Sequence, residues 1–226
     1  MDKKILILLP IWKREAITKI CLANLKELQK TFNIEVLCVV SEQWAKIEAF
    51  KMGFKYIEAP NECLGTKMNI GIKEAMGMRF DYLMNLGSDD IITPALFDSY
   101  KDMFINNVPC FGPTNLTFID SQAKEARTYN YGIMIGAGRC IRKDILEATL
   151  RKGDLYDKIQ IGLDMNSMKK LDCTMTEIDN PYNTIYDIKS AVNLWGYEVF
   201  YKGNDLTFED AVSGLTTEQI DKIIEL

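Results

Sequence analysis

Two apolar patterns alternate through the first hundred residues, and their order leaves few folds open. Residues 4–9 form a continuous apolar run, as expected of a strand covered on both faces. Over residues 14–30, Ile17, Cys21, Leu25 and Leu28 recur at helical spacing. The alternation then repeats, with strands over 34–40, 54–58 and 81–86 and helices over 42–52 and 65–78. Thr93 and Pro94 offer a helix start at N-cap and N1, for a helix through about residue 103. Strands separated by helices of this length predict parallel βαβ units and hence an open α/β sheet. In such sheets ligands bind beyond the carboxyl ends of the strands. The polar segments at 10–14, 41–42, 60–61 and 88–90 all fall there.

The second half is less regular. Strands are expected over 108–111, 116–120, 131–135 and 173–178, with helices over 142–151 and 163–171. Thr216 and Gln219 have the spacing of a capping box, which predicts a terminal helix reaching residue 226. With no repeat, low-complexity segment or linker, the expectation is one domain over 1–226. Residues 1–103 would form its nucleotide-binding half and 104–226 its acceptor-side half.

Composition removes whole classes of chemistry. The 226 residues contain no histidine, which excludes Ser-His-Asp and Cys-His nucleophiles and histidine-ligated zinc. Any general base must be Asp, Glu, Lys, Tyr or Cys, and any metal must sit mainly on oxygen. A net charge of −5 without a basic run argues against gripping a nucleic-acid backbone. The longest apolar run, residues 5–12, is too short to span a bilayer. Six scattered cysteines without a Cys-x-x-Cys pair read as reduced thiols in a cytoplasmic protein.

Two glycine patterns fail as nucleotide motifs. Gly136 and Gly138 lack the third glycine of a dinucleotide fingerprint, and Gly65 and Gly71 are one residue too far apart for a P-loop. The pair Asp89 and Asp90 is more informative. Adjacent carboxylates repel, so they are either turn residues or half of a metal site. Here they end a buried strand in the ligand-binding row, where Mg2+ or Mn2+ would remove the repulsion and bridge to phosphate.

Taken together, Leu9, Pro10 and Arg14, then Val39 to Glu42, then Pro60, Gly65, Lys67, Asn69 and Gly71, then Phe80 through Asp89, Asp90 and Pro94 resemble the family 2 glycosyltransferases of the GT-A fold. The resemblance is good over residues 4–100 and looser over 132–190; the last thirty residues match nothing in it. It implies an open, mostly parallel mixed sheet flanked by helices, and a nucleotide-diphosphate sugar, a UDP-sugar, as donor. Pro10, Trp12, Arg14 and Glu42 would hold the nucleoside, with Lys67 and Asn69 beside it. Ser88 and Asp89 would face the ribose or sugar, and Asp90 would ligate the cation. The chain departs from the family at Gly87, where many members carry an aspartate. Gly138 would let backbone approach the ligand, and Asp164 would be the general base, with Asp154 and Asp157 in reserve. Asp187 would add a metal ligand, Lys189 a diphosphate contact and Trp195 a sugar-stacking face.

Each role has a plainer rival. Arg14 and Lys67 also suit solvated helix starts, Asn69 a first helical turn, Glu42 the neighbourhood of an N-cap, and Asp164 a helix N-terminus. Gly136 to Gly138 would serve a tight turn equally well, and Trp195 the core. The implied reaction is metal-assisted, inverting sugar transfer to an acceptor hydroxyl. One alternative is a nucleotidyltransferase, although the segment from Ile11 to Arg14 lacks the glycines such enzymes carry after the first strand. Another is a non-catalytic nucleotide-binding module.

Overall fold

The structure is a computed structural model that describes residues 3–189 and 203–226; Trp195 lies outside the described residues. The alternation of the first half is realised. Strands β1 (Ile5–Ile11), β2 (Ile34–Val40), β3 (Lys55–Glu58) and β4 (Tyr82–Asn85) alternate with helices α1 (Glu15–Leu28), α2 (Gln43–Lys51) and α3 (Leu64–Met76). Then follow β5 (Asp90–Ile92), α4 (Pro94–Ser99), α5 (Lys101–Ile105), β6 (Cys110–Pro113), β7 (Asn115–Asp120), β8 (Glu125–Asn130), β9 (Cys140–Arg142), α6 (Lys143–Leu150) and α7 (Leu163–Met168). The described chain closes with β10 (Met175–Ile178), β11 (Ile185–Lys189), β12 (Asn204–Leu206), α8 (Phe208–Ala211) and α9 (Thr217–Ile224).

Seven strands form the main sheet in the order β10-β6-β9-β4-β1-β2-β3. Its β1–β2, β1–β4, β2–β3 and β6–β10 pairs are parallel, and only β9 runs against its neighbours. Both faces of β1 are covered, as its unbroken apolar run requires. Ile5, Ile7, Leu9 and Ile11 pack toward α1, while Leu6 and Leu8 join the cluster containing Met68 and Ile72 of α3. Each fully buried side chain of this size contributes about 1.5–3 kcal/mol. Gly71 brings α3 unusually close, since a Cβ there would lie 2.7 Å from Leu8 and 2.5 Å from Val39. Packing, not phosphate, accounts for that glycine.

A second sheet, β12-β8-β7-β11-β5, was not foreseen. It is mainly antiparallel, and the α8–α9 segment contributes Ala211 and Ile223 to the core on one side of it. The strand expected at 131–135 is absent. Gly132 there takes φ +67, and the pairing falls instead to β8 and β9 on either side. The helix predicted from residue 94 breaks at Tyr100 into α4 and α5, and Thr93 spends its hydroxyl on the Asn183 carbonyl, 2.8 Å away, instead of capping α4. The capping box of Thr216 and Gln219 forms as read. No helix among the described residues is long and apolar enough to cross a membrane.

The chain passes from the main sheet to the second between β4 and β5, again between β6 and β7, and a third time between β10 and β11. The Asp89–Asp90 pair sits at the first of these crossings, beyond the carboxyl end of β4.

Candidate active site

One wall of the crevice is built from the ends of β1, β2 and β4. After β1, Lys13 and Arg14 both take left-handed backbone, with φ 55 at each. That conformation costs a non-glycine residue about 1–3 kcal/mol and persists only where neighbours enforce it. Two carboxylates do so. Glu42 accepts from the Lys13 amide at 2.5 Å, and Asp89 accepts from the Arg14 guanidinium in a partly buried ion pair. Glu42 stands at the N-cap of α2 yet makes no capping bond there; its carboxylate is turned to the loop. Between the ends of β1 and β2 lies Lys67, 1% exposed, donating to the Ile11 carbonyl and, at 2.7 Å, to the Ser41 hydroxyl. Burial pushes its pKa down to about 8, with Glu42 opposing the shift and Arg14 adding to it. Beyond it opens a cleft of about 450 Å3 lined by Ser41, Glu42, Gln43, Lys46, Glu58 and Pro60.

At the acidic tip, the plain turn reading is realised, and a cluster of carboxylates gathers beside it. Asp90 Oδ2 accepts from the Gly87 amide at 2.6 Å and so closes its own turn. In the antiparallel β5–β11 ladder Asp90 is directly opposite Asp187, which puts both side chains on one face. Lys189 holds Asp187 Oδ2 at 2.8 Å, but Asp187 Oδ1 is buried without a hydrogen-bond partner, as is the Ser88 hydroxyl. Burial, then the proximity of Asp89 and Asp187, pushes the Asp90 pKa well up. Burial and Asp89 raise Asp187 to about 6 against the pull of Lys189. Such a cluster resists full ionisation until a cation joins it. Asp90 and Asp187 therefore suit a hard divalent ion. No set of three His, Cys, Asp or Glu residues among those described forms an all-protein cage, so phosphate and water would have to complete the coordination. A Cβ on Gly87 would fall 2.8 Å from Asp90 and 2.9 Å from Asp89. An aspartate at this position would push both carboxylates off their present places.

The opposite wall is made of loops and α7. Asp164 lies in the first turn of α7 with its side chain 48% exposed. A Cβ on Gly136 would come within 2.1 Å of Asp164 Oδ1, so this glycine allows the carboxylate to rest against backbone. The reserve candidates are engaged elsewhere, Asp154 with Lys73 at 2.7 Å and Asp157 with Lys170 at 2.6 Å. Tyr131, 38% exposed, lies near carboxylates of both sides: burial, then Asp187, Asp164, Tyr129 and Asp90, raise its pKa strongly.

No protein-family model matches the sequence, and no curated protein matches it either. Solved structures do. TarS of S. aureus superposes with a TM-score of 0.59 at 15% identity, over 83% of this chain and 37% of TarS. TarS 1–349 gives 0.58 at 14%, over 82% of this chain and 60% of that one. Glucosyl-3-phosphoglycerate synthase of Mycobacterium tuberculosis, solved with Mn2+, UDP and glucosyl-3-phosphoglycerate, gives 0.52 at 11%, over 79% and 71%. The fold is of the GT-A type. The bifunctional IspDF of Campylobacter jejuni also shares it, at 0.51 and 9% identity over 79% of this chain and 50% of that one. At these identities the likeness is one of fold alone, and the chain spans less than two thirds of either TarS chain.

Within this GT-A fold the expected residues divide. Arg14, Glu42, Lys67, Asp89, Asp90, Asp187 and Lys189 are linked by contacts or register around the strand ends, and Ser88 adjoins Asp89 in the same turn. Pro10 pairs with Val39 inside the sheet, and Trp12 is half-buried beneath the Lys13 ammonium, 4.3 Å from its ring centroid. Two of the expected residues have structural partners within the fold. The Asn69 amide is buried and bonds both polar groups of the Tyr156 backbone, at 2.7 and 3.0 Å, so it anchors that loop. Gly138 takes φ +76 and its Cβ space is filled by Ile185, 2.7 Å away, so it serves the turn and the core. Sequence reasoning placed Tyr131 in a strand, and it read Ser41 only as part of the polar strand end at 41–42, without the Lys67 contact its hydroxyl makes.

Proposed function

We propose that this chain transfers a sugar from a nucleoside-diphosphate donor, a UDP-sugar, to an acceptor hydroxyl, with inversion. The observation that carries the reading is the register of Asp90 against Asp187, with one buried Asp187 oxygen lacking a partner. Those two carboxylates would hold Mn2+ or Mg2+, and the bound ion would supply charge stabilisation to the diphosphate leaving group. Glu42 and the cleft beside it would take the nucleoside, while Arg14 holds Asp89 in place for the ribose or sugar. Lys189 adds a fixed positive charge next to the diphosphate. Asp164, on the facing wall, takes the proton as the acceptor oxygen bonds to the anomeric carbon and the bond to the nucleoside diphosphate breaks. A base so placed contributes roughly 10²–10⁴-fold. Six free cysteines support a reducing, cytoplasmic setting.

Thermal shift against UDP, GDP, CDP and dTDP, each with and without Mn2+, tests this. A ligand at one hundred times its Kd stabilises by about 2.7 kcal/mol. The expected result is the largest shift with UDP and Mn2+ together, lost in Asp90→Asn. The likeness to IspDF lends support to a nucleotidyltransferase. Pyrophosphate release from a nucleoside triphosphate would select that reading, and nucleotide binding with no transfer to any acceptor would select a non-catalytic module.

A further inference from the structure

The loop that carries Gly136 also carries Arg139, whose side chain is 0% exposed and among the largest fully buried ones described. Its Nε donates to the Ile135 carbonyl at 3.1 Å, which ties the guanidinium to its own loop. Nη1 donates to the Ser167 hydroxyl at 2.7 Å and, more distantly, to the Asp164 carbonyl at 3.4 Å. Ser167 in turn donates back to the Leu163 and Asp164 carbonyls, at 2.9 and 3.0 Å. Nη2 has no hydrogen-bond partner and stands 3.4 Å from Asp164 Oδ1, within ion-pair distance but outside hydrogen-bond geometry. Among the described residues, Asp164 is the one carboxylate ion-paired with this cation.

Removing a guanidinium from water is costly, and an apolar side chain of similar volume would fill the space without that cost. Gly112 lets β6 approach the Arg139 backbone, since a Cβ there would lie 3.0 Å from the Arg139 Cα. What an apolar residue could not do is hold the backbone and the carboxylate of Asp164 together. We infer that Arg139 is the positioning residue of the acceptor wall, fixing the first turn of α7 and pressing the Asp164 carboxylate against the Gly136 backbone. The inference rests on the proposed role of Asp164 as base, but the hold itself can be tested without turnover.

The first test is a stability cycle on Arg139→Met, Asp164→Ala and the double variant, read as Tm. If the pair is real, Asp164→Ala lowers Tm by stranding a buried cation, and adding Arg139→Met recovers most of the loss. Independent effects, or no loss in Asp164→Ala, would overturn the inference. Should Arg139→Met fail to fold, crystal structures of Arg139→Lys and the wild type decide. The shorter cation is expected to release the carboxylate from Gly136 with α7 intact; an unmoved carboxylate would contradict the inference. The second test is UDP release from UDP-glucose with Mn2+. Arg139→Met should lower kcat at least tenfold at unchanged KM, and should cost nothing further in an Asp164→Asn background. If Asp164→Asn leaves turnover unchanged while the stability coupling persists, the base assignment falls and the positioning contact stands.

Discussion

The two walls of the crevice hold their carboxylates by different means. On the donor wall, Asp90 and Asp187 face one another because β5 and β11 are in register, and backbone ladders fix that relation. On the acceptor wall, Asp164 stands on a six-residue helix whose first turn depends on one buried arginine and one glycine. Register tolerates the loss of any single side chain but forces like charges together. A loop-built wall avoids crowding and leaves its geometry to a few contacts. Substitutions on the donor wall should therefore change chemistry more than fold, whereas those on the acceptor wall should change both.

The sharpest test of that contrast is Asp90→Asn. An asparagine oxygen can still accept from the Gly87 amide, so the ion-free protein should keep its Tm or gain slightly as like-charge repulsion falls. Turnover should drop by roughly 10³-fold or more, since an ion at such a site contributes several kcal/mol to the transition state. Asp164→Asn should follow with a loss of about 10²–10⁴-fold in kcat while UDP affinity in a calorimeter stays unchanged. A shared loss of both would mean the walls are not separate.

Arg14→Met should have a smaller and mixed effect. It removes a charged hydrogen bond of about 1–3 kcal/mol to Asp89 and loosens a loop with two left-handed residues. Chemical denaturation should show a stability loss of that order, together with weaker UDP binding. The last effect, visible only as a pH dependence, concerns Lys67. Its folded pKa, near 8, lies below the unfolded value of about 10.4, so the unfolded chain binds more protons between those pH values. Its contribution is present in full above pH ~10.4 and is lost as pH falls through about 8. The stability of wild type relative to Lys67→Met should accordingly rise as pH increases from about 8 to about 10. A flat difference would show that Lys67 keeps its ordinary proton affinity.

Legibility in the sequence follows the same division. The β1–β4 half was readable because β1, β2 and β4 are buried on both faces and α1 and α3 carry their own stripes, which left β3 and α2 to be read from the alternation. The second half hides its strands: β9 is three residues long, and β11 carries Asp187 and Lys189 inside an otherwise apolar segment. Strand status there comes from partners far along the chain, which no local pattern reports. The same limit hides the partners of single residues. Asn69 and Tyr156 are 87 positions apart, so the residue type was visible and its partner was not. Gly138 announced a special backbone without saying that Ile185 would fill the space beside it.

The direct measurement of the central claim is calorimetric titration of UDP into wild type, Asp90→Asn and Asp187→Asn, with and without Mn2+. Cooperation of the two facing carboxylates predicts at least tenfold tighter UDP binding with Mn2+ in the wild type and no metal dependence in either variant. Equal UDP affinity with and without Mn2+ in the wild type, or full metal dependence in both variants, would contradict it.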